Sequence, residues 1–157
     1  CAGIRRSRPR QVILEPQHMQ SMQPRSRVLI LEDEPIIALD VEGILTDAGF
    51  ELAGTLATCA SAMEWLKANQ GDVALLDVDL QDGSCELDAQ RLHDMGIPFV
   101  VFSGSEPTES AIDPVFLKGT WLGKPATSVK IVAAVTKALS SRFLQEPSAD
   151  PVQHTAF

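Results

Sequence analysis

Four polar groups in this chain stand where they could do chemistry together. Glu32-Asp33-Glu34 follows the apolar run Val28-Leu29-Ile30-Leu31, and Asp77 follows Val73-Ala74-Leu75-Leu76. Ser103 follows Phe99-Val100-Val101-Phe102, and Lys124 follows Trp121-Leu122-Gly123. A charge at the tip of a buried run is costly unless something pairs with it. Clustered carboxylates also repel one another and raise each other's pKa until a cation neutralises them. Mg²⁺ suits such a cluster, being a hard ion that takes one or two carboxylates, waters and a phosphate oxygen. A carboxylate nucleophile can form an acyl phosphate. Asp77 would be that nucleophile. Lys124 and the metal would balance charge on the transferring group, and the Ser103 hydroxyl could donate to a phosphoryl oxygen. The chemistry is that of a phosphoryl acceptor. No Walker-type glycine-lysine loop occurs, so a nucleotide donor held by this chain is not expected.

Taken singly, each group has a plainer reading. The acidic pair could be a solvated turn, Asp77 a cap, Ser103 a turn residue and Lys124 a surface charge. Their shared position, at the ends of strands and in this order, makes coincidence a poor account.

The elements that must position these groups follow from the apolar pattern. Strands are predicted at 28–31, 51–56, 73–76, 97–102 and 121–123. A helix starts at Pro35, where the missing N–H is harmless, and stops at Gly49. A second, capped by Thr58 or Ser61, runs to Asn69-Gly71 with Trp65 and Met63 as core residues. A third spans Glu86 to Met95 with Leu87 and Leu92 inward, and a last one carries the stripe Val129, Ile131, Val132, Val135, Ala138 and Leu139. Residues 78–83 read as a loop. Residues 106–114, with proline near both ends and little periodicity, read as a poor helix. Strands and helices alternate five times, which predicts a parallel sheet with helices on both faces.

The chain has 157 residues and 45% hydrophobic content, enough for one domain with a sizeable core. Its longest apolar runs are too short to span a membrane. The net charge of -8 hides an asymmetry: residues 1–27 carry six Arg and one Glu, leaving seven basic against twenty acidic side chains in the rest. An acidic body does not favour nucleic acid. Residues 1–26, with three prolines and no periodicity, are expected to be a disordered basic tail, and 144–157 a flexible one. Cys1, Cys59 and Cys85 are odd in number and far apart, so neither a disulfide framework nor a zinc site is expected, in keeping with a reducing, cytoplasmic setting.

The ordered motifs V-L-I-L-E-D-E-P, A-L-L-D-V-D-L, V-V-F-S-G-S and G-K-P resemble the receiver domain of two-component response regulators, over residues 27–143. The resemblance implies a flavodoxin-like (βα)₅ fold, a doubly wound five-stranded parallel sheet of order 2-1-3-4-5, with the fourth helix degraded here. It implies phosphotransfer from a sensor histidine kinase or a histidine phosphotransfer protein onto Asp77. Asp33 and Asp77 would bind Mg²⁺ with the backbone carbonyl of Asp79, and Glu32 would help. Ser103 would be the switch hydroxyl and Lys124 the partner of the phosphoryl group, with Lys124-Pro125 often cis in the family. Two positions depart from the family pattern. The first acidic residue is Glu32 rather than Asp, and the switch aromatic is Trp121 rather than Tyr or Phe.

Thirteen residues follow Leu144, too few for an output module, so the expectation is a stand-alone receiver in a two-component system or phosphorelay. It would signal to a downstream protein target, with neither nucleic acid nor membrane as partner, and dimerise through its last strand and helix by family habit. It would be a phosphoryl-accepting signalling domain rather than an enzyme, with autophosphatase activity open to it. The competing reading is a Mg²⁺-dependent nucleic-acid enzyme of the topoisomerase-primase type, using Glu32, Asp77 and Asp79 of the Asp-x-Asp pair.

Overall fold

The computed structural model describes residues 24–105 and 112–144. Both expected tails fall mostly outside these residues, as does most of the poor-helix stretch 106–114. The elements run β1 (Arg27–Leu31), α1 (Pro35–Asp47), β2 (Glu51–Leu56), α2 (Cys59–Ala68), β3 (Val73–Leu76), β4 (Asp79–Leu80), β5 (Gly83–Ser84), α3 (Glu86–Asp94), β6 (Phe99–Ser103), a 3₁₀ turn (Pro114–Lys118), β7 (Thr120–Gly123) and α4 (Ser128–Leu144). Five strands pair in parallel in the order β2-β1-β3-β6-β7. With the small antiparallel ribbon β4-β5 set aside, this is the order 2-1-3-4-5 that the resemblance implies.

Strand alternation divides the core between the two faces of the sheet. Leu29, Leu31, Ala74, Leu76, Phe99 and Val101 pack on one side against Ala62 and Leu66 of α2, Ala89 and Leu92 of α3, and Phe116 of the 3₁₀ turn. Val28, Ile30, Val73, Leu75, Val100 and Phe102 pack on the other against Val41 and Leu45 of α1 and Ile131, Val135 and Ala138 of α4. The central strands are therefore apolar on both faces, the pattern of a buried parallel sheet. The five parallel strands all point their carboxyl ends at the same edge, which is where such sheets collect ligand-binding residues.

Three local readings need correction. Val129 is 77% exposed and falls off the inward stripe of α4, which Ile131, Val135 and Ala138 carry. Leu87 is 74% exposed, not inward. The inward stripe of α3 is phased by Cys85, Asp88, Ala89 and Leu92, at helical spacing, and Leu87 falls off it. Residues 78–83 are not a plain loop, because Asp79 pairs with Ser84 and Leu80 with Gly83. The helix cap that the sequence left open is Thr58, whose hydroxyl accepts from the Ser61 N–H at 3.1 Å.

One glycine is required by close approach. A Cβ at Gly119 would lie 2.5 Å from the Phe99 ring and 2.9 Å from the Phe99 carbonyl oxygen. Gly119→Ala is expected to lose about 2 kcal/mol in urea unfolding, the usual scale of overpacking. Gly43→Ala, on α1 with nothing within 4 Å, serves as the control and should lose nothing. Equal stability of the two variants would contradict this packing.

Candidate functional site

The carboxyl edge of the sheet gathers the predicted residues. Asp77 is the first residue past β3, and its N–H donates to the Leu31 carbonyl at 3.0 Å, which fixes the tip of β3 against β1. Glu32 and Asp33 are the first residues past β1, and Lys124 is the first past β7. The Lys124 N–H donates to the Ser103 carbonyl at 2.8 Å, joining the ends of β6 and β7. The Lys124-Pro125 peptide is cis.

Lys124 is the hinge of the charge arrangement. Its Nζ donates to Glu32 Oε2 and to Asp77 Oδ2, each at 2.7 Å. The ammonium also stands 5.0 Å from the centre of the Phe102 ring, on the electron-rich side favourable to a cation. The Glu32 side chain is fully buried, and its other oxygen accepts from the Glu34 N–H at 3.1 Å. Glu32 is thus satisfied at both oxygens, as a buried carboxylate must be. Burial alone would pull the Lys124 pKa down. Its hydrogen bonds to Asp77 and Glu32, with their charges, more than reverse that and hold it above the ordinary lysine value. The ammonium is therefore charged at neutral pH. Its stabilising contribution is complete below the ordinary lysine pKa and is lost only as pH rises through the raised folded value.

Carboxylate oxygens of Glu32, Asp33 and Asp77 come within 4.8 Å of one another. Three negative charges face the one ammonium of Lys124, leaving about two in excess, which is the charge of a divalent cation. Hard oxygen donors at this spacing suit Mg²⁺ chemically. The Asp77 side chain keeps a 15% opening to solvent, so a reactant can reach it. Its Oδ1 accepts a longer bond, 3.3 Å, from the Asp79 N–H. The Asp79 side chain is exposed on β4 and lies outside the carboxylate cluster.

Ser103 is buried at the end of β6, and its Oγ accepts from the Ser105 N–H at 3.2 Å. A hydroxyl that accepts there still has its own proton to give. Trp121 is half-buried on β7, opposite Val101, and packs against the α2/α3 side of the core. With Ser103, Asp79, Ile112 and Phe116 it lines a cavity of about 480 Å³ beside the acidic cluster.

Sequence reasoning missed a second set of residues behind this edge. The Asp82 carboxylate, in the turn of the ribbon, accepts from the N–H groups of Cys59 and Ala60 at 2.8 and 2.9 Å and so caps α2. Those two bonds hold the Asp82 pKa below its usual value. Cys59 and Cys85 form a disulfide, with Cα atoms 5.6 Å apart. This overturns the expectation of unpaired cysteines, and with it the argument from the cysteines for a reducing setting. Spacing along the chain does not reveal that α2 and α3 start side by side. Asp88, inside the first turn of α3, is buried with no hydrogen-bond partner for Oδ1. Nothing in the sequence marks it out, since an acid in the first turn of a helix ordinarily faces solvent.

Burial, helped by the Asp82 charge, pushes the Asp88 pKa up to about 6 despite a bond from its own backbone. Between pH 4 and 6 the folded chain holds a proton that the unfolded chain has released, so stability falls as pH rises through that window. The penalty is complete above it and amounts to about 3 kcal/mol at 1.36 kcal/mol per pKa unit. Asp88→Asn is therefore expected to gain about 2 kcal/mol in urea unfolding at pH 7 and little at pH 4. A loss at pH 7, or the same change at both values, would contradict the assignment.

No protein-family model matches the chain. It is 30% identical over 138 residues to the phyllosphere-induced regulator PhyR of Methylorubrum extorquens, across 83% of this chain and 49% of that protein. The chain thus spans about half the length of this curated relative. It is similar to the crystal structure of a response regulator receiver protein from Sinorhizobium medicae, at 30% identity and a TM-score of 0.64, over 75% of this chain and 97% of that one. A CheY-like receiver domain protein from Methanospirillum hungatei superposes with a TM-score of 0.70 over 78% of this chain and all of that one. At 18% identity, that likeness speaks for the fold alone.

Proposed function

Because the chain belongs to the response regulator receiver family of two-component signalling, we propose that it takes a phosphoryl group from a phosphohistidine donor onto Asp77 in the presence of Mg²⁺. The donor is a sensor histidine kinase or a histidine phosphotransfer protein. The added charge then governs binding to a downstream protein or onward relay. The observation that carries this reading is the Lys124 ammonium bridging Glu32 and Asp77 at the edge where the parallel strands end.

An Asp77 carboxylate oxygen forms the new P–O bond as the P–N bond of the phosphohistidine breaks, and the electron pair leaves with the imidazole. Lys124, already seated on Asp77, follows the negative charge as it moves onto the phosphoryl oxygens. Bound Mg²⁺ would supply further neutralisation of that charge. Its ligands would be Asp33, Asp77 and the Asp79 backbone carbonyl, with Glu32 behind them. Ser103 turns its hydroxyl proton to a phosphoryl oxygen, and Trp121, beside the same cavity, reports or follows that movement. Residues 27–143 are read as the receiver unit, with a cytoplasmic setting. No helix among the described residues is long and apolar enough to cross a membrane. Any turnover is hydrolysis of the chain's own acyl phosphate.

The nucleic-acid enzyme reading is not favoured. It needs Glu32, Asp77 and Asp79 to converge, whereas the cluster joins Glu32 with Asp33 and Asp77, beside a lysine. Incubation with acetyl phosphate and Mg²⁺ tests the proposal. One acid-stable, base-labile phosphoryl group per chain is expected, and no incorporation contradicts it.

A further inference from the structure

The disulfide behind the phosphoacceptor edge is unlike a plain cross-link. Cys59 is the first residue of α2 and Cys85 the residue before α3, so both sulfurs sit at helix N-termini, where thiolates are stabilised. Cys85 is fully buried, while Cys59 is half-exposed, with Sγ 3.5 Å from the Gly83 carbonyl. An Asp88 oxygen lies within 4.8 Å of both sulfurs. That carboxylate is 1% exposed, and its Oδ1 has no partner. A purely structural cross-link gains nothing from an unpaired acid buried beside it, and the acid destabilises the fold at neutral pH. Thiol–disulfide exchange, by contrast, releases and consumes a proton at the buried sulfur.

The pair also holds the segment that follows Asp77. Three ties fix residues 78–85. The Cys85 N–H donates to the Val78 carbonyl at 2.9 Å, the Asp82 carboxylate accepts from Cys59 and Ala60, and the disulfide itself ties Cys85 to α2. Two of these three ties run to Cys59. The segment includes Asp79, whose N–H donates to Asp77.

We propose that Cys59, Cys85 and Asp88 form a thiol–disulfide exchange site whose oxidation state sets how firmly the segment after Asp77 is held. Its bearing on phosphorylation rests on the reading of Asp77 given above. The reductant is a small thiol or a dithiol protein. Its thiolate attacks Sγ of Cys59, the less buried of the two residues, and the S–S bond breaks. The electron pair goes to Cys85 Sγ, which takes the proton of the Asp88 carboxyl. A second thiolate then attacks the reductant's sulfur in the mixed disulfide and frees Cys59 as a thiolate, which takes a proton from water, as the Asp88 carboxylate does. Two thiols have become one external disulfide, and the protein has gained two electrons and two protons. In the reverse direction Asp88 takes the Cys85 proton as that sulfur displaces the bound thiol from Cys59. Facing the Asp88 carboxylate are the two sulfurs, from α2 and the head of α3, and the Asp82 carboxylate from the ribbon turn.

The test uses the full chain carrying Cys1→Ser, so that one cysteine pair remains. Thiols are counted by maleimide mass shift in glutathione buffers, and reduction by dithiothreitol is timed from pH 5 to 8. The expected result is a reversible two-thiol step without denaturant. Asp88→Asn, unfolding no more readily than its parent at pH 5, should be reduced at least tenfold more slowly there and lose an inflection near pH 6. Amide exchange across 78–85 should quicken at least tenfold on reduction, and likewise in Cys59→Ser. A pair reducible only after unfolding, an Asp88→Asn profile matching its parent, or equal amide protection in both redox states would each overturn the proposal. Acetyl phosphate labelling is run on both redox forms. Absence of label in both forms counts against Asp77 as acceptor, while the thiol and amide measurements still decide the exchange site.

Discussion

Asp77→Asn is expected to take no phosphoryl group above background from acetyl phosphate or a phosphorylated kinase under conditions that label the wild type. The two side chains have nearly the same shape, and the β3 tip is fixed by a backbone bond to Leu31, so the fold survives the change. An amide nitrogen or oxygen is a poor nucleophile beside a carboxylate. The neighbours do not substitute readily. Glu32 is buried with both oxygens engaged, and Asp33 lies past the end of the adjacent strand rather than on the tip held by Lys124. Measured as acid-stable, base-labile label, full incorporation into Asp77→Asn would remove Asp77 from the account.

Lys124→Met should produce the second large effect, on stability. The lysine bridges two carboxylates, one wholly buried and one nearly so. Removing one partner from a buried pair leaves the other charge uncompensated, at a cost of about 3–5 kcal/mol. The partial opening of Asp77 to water puts the expectation at the lower end, about 3 kcal/mol in EDTA. Without the ammonium, Glu32, Asp33 and Asp77 repel one another unopposed, so a divalent cation has more to gain. Saturating Mg²⁺ should therefore restore about half of the loss and stabilise the variant more than the wild type. Urea unfolding in EDTA and in Mg²⁺ checks both parts. A loss under about 1 kcal/mol in EDTA would show that Lys124 does not hold the cluster together. Equal stabilisation of both chains by Mg²⁺ would show that the metal does not answer the lysine's charge.

What was legible in the sequence had a period or a terminus. Val28–Leu31, Val73–Leu76 and Phe99–Phe102 are apolar on both faces because each strand lies between two layers of helix, so each reads as an unbroken run. The polar residue that ends each run then falls at the same edge, and the cluster of Glu32, Asp33, Asp77, Ser103 and Lys124 follows from strand order alone. What was hidden depends on contacts between elements. The β4-β5 ribbon is two residues a side, too short for alternation to show. Leu87 was misplaced because the phase of α3 is set by Cys85 and Leu92 against the core, not by the count of apolar residues. The Cys59–Cys85 bond spans 26 residues and depends on the mutual position of two helix starts. Asp88 carries no sequence signal at all, since its burial is a consequence of that same packing.

The central claim is that the Asp77 carboxylate is the group that becomes the acyl phosphate. Borohydride reduces an aspartyl phosphate to homoserine and leaves free carboxylates alone. The chain, loaded from acetyl phosphate in Mg²⁺, reduced and digested, should yield homoserine at position 77 and aspartate at 33 and 79. Homoserine at 33 or 79, or phosphate found on a serine or histidine with position 77 unchanged, would contradict it.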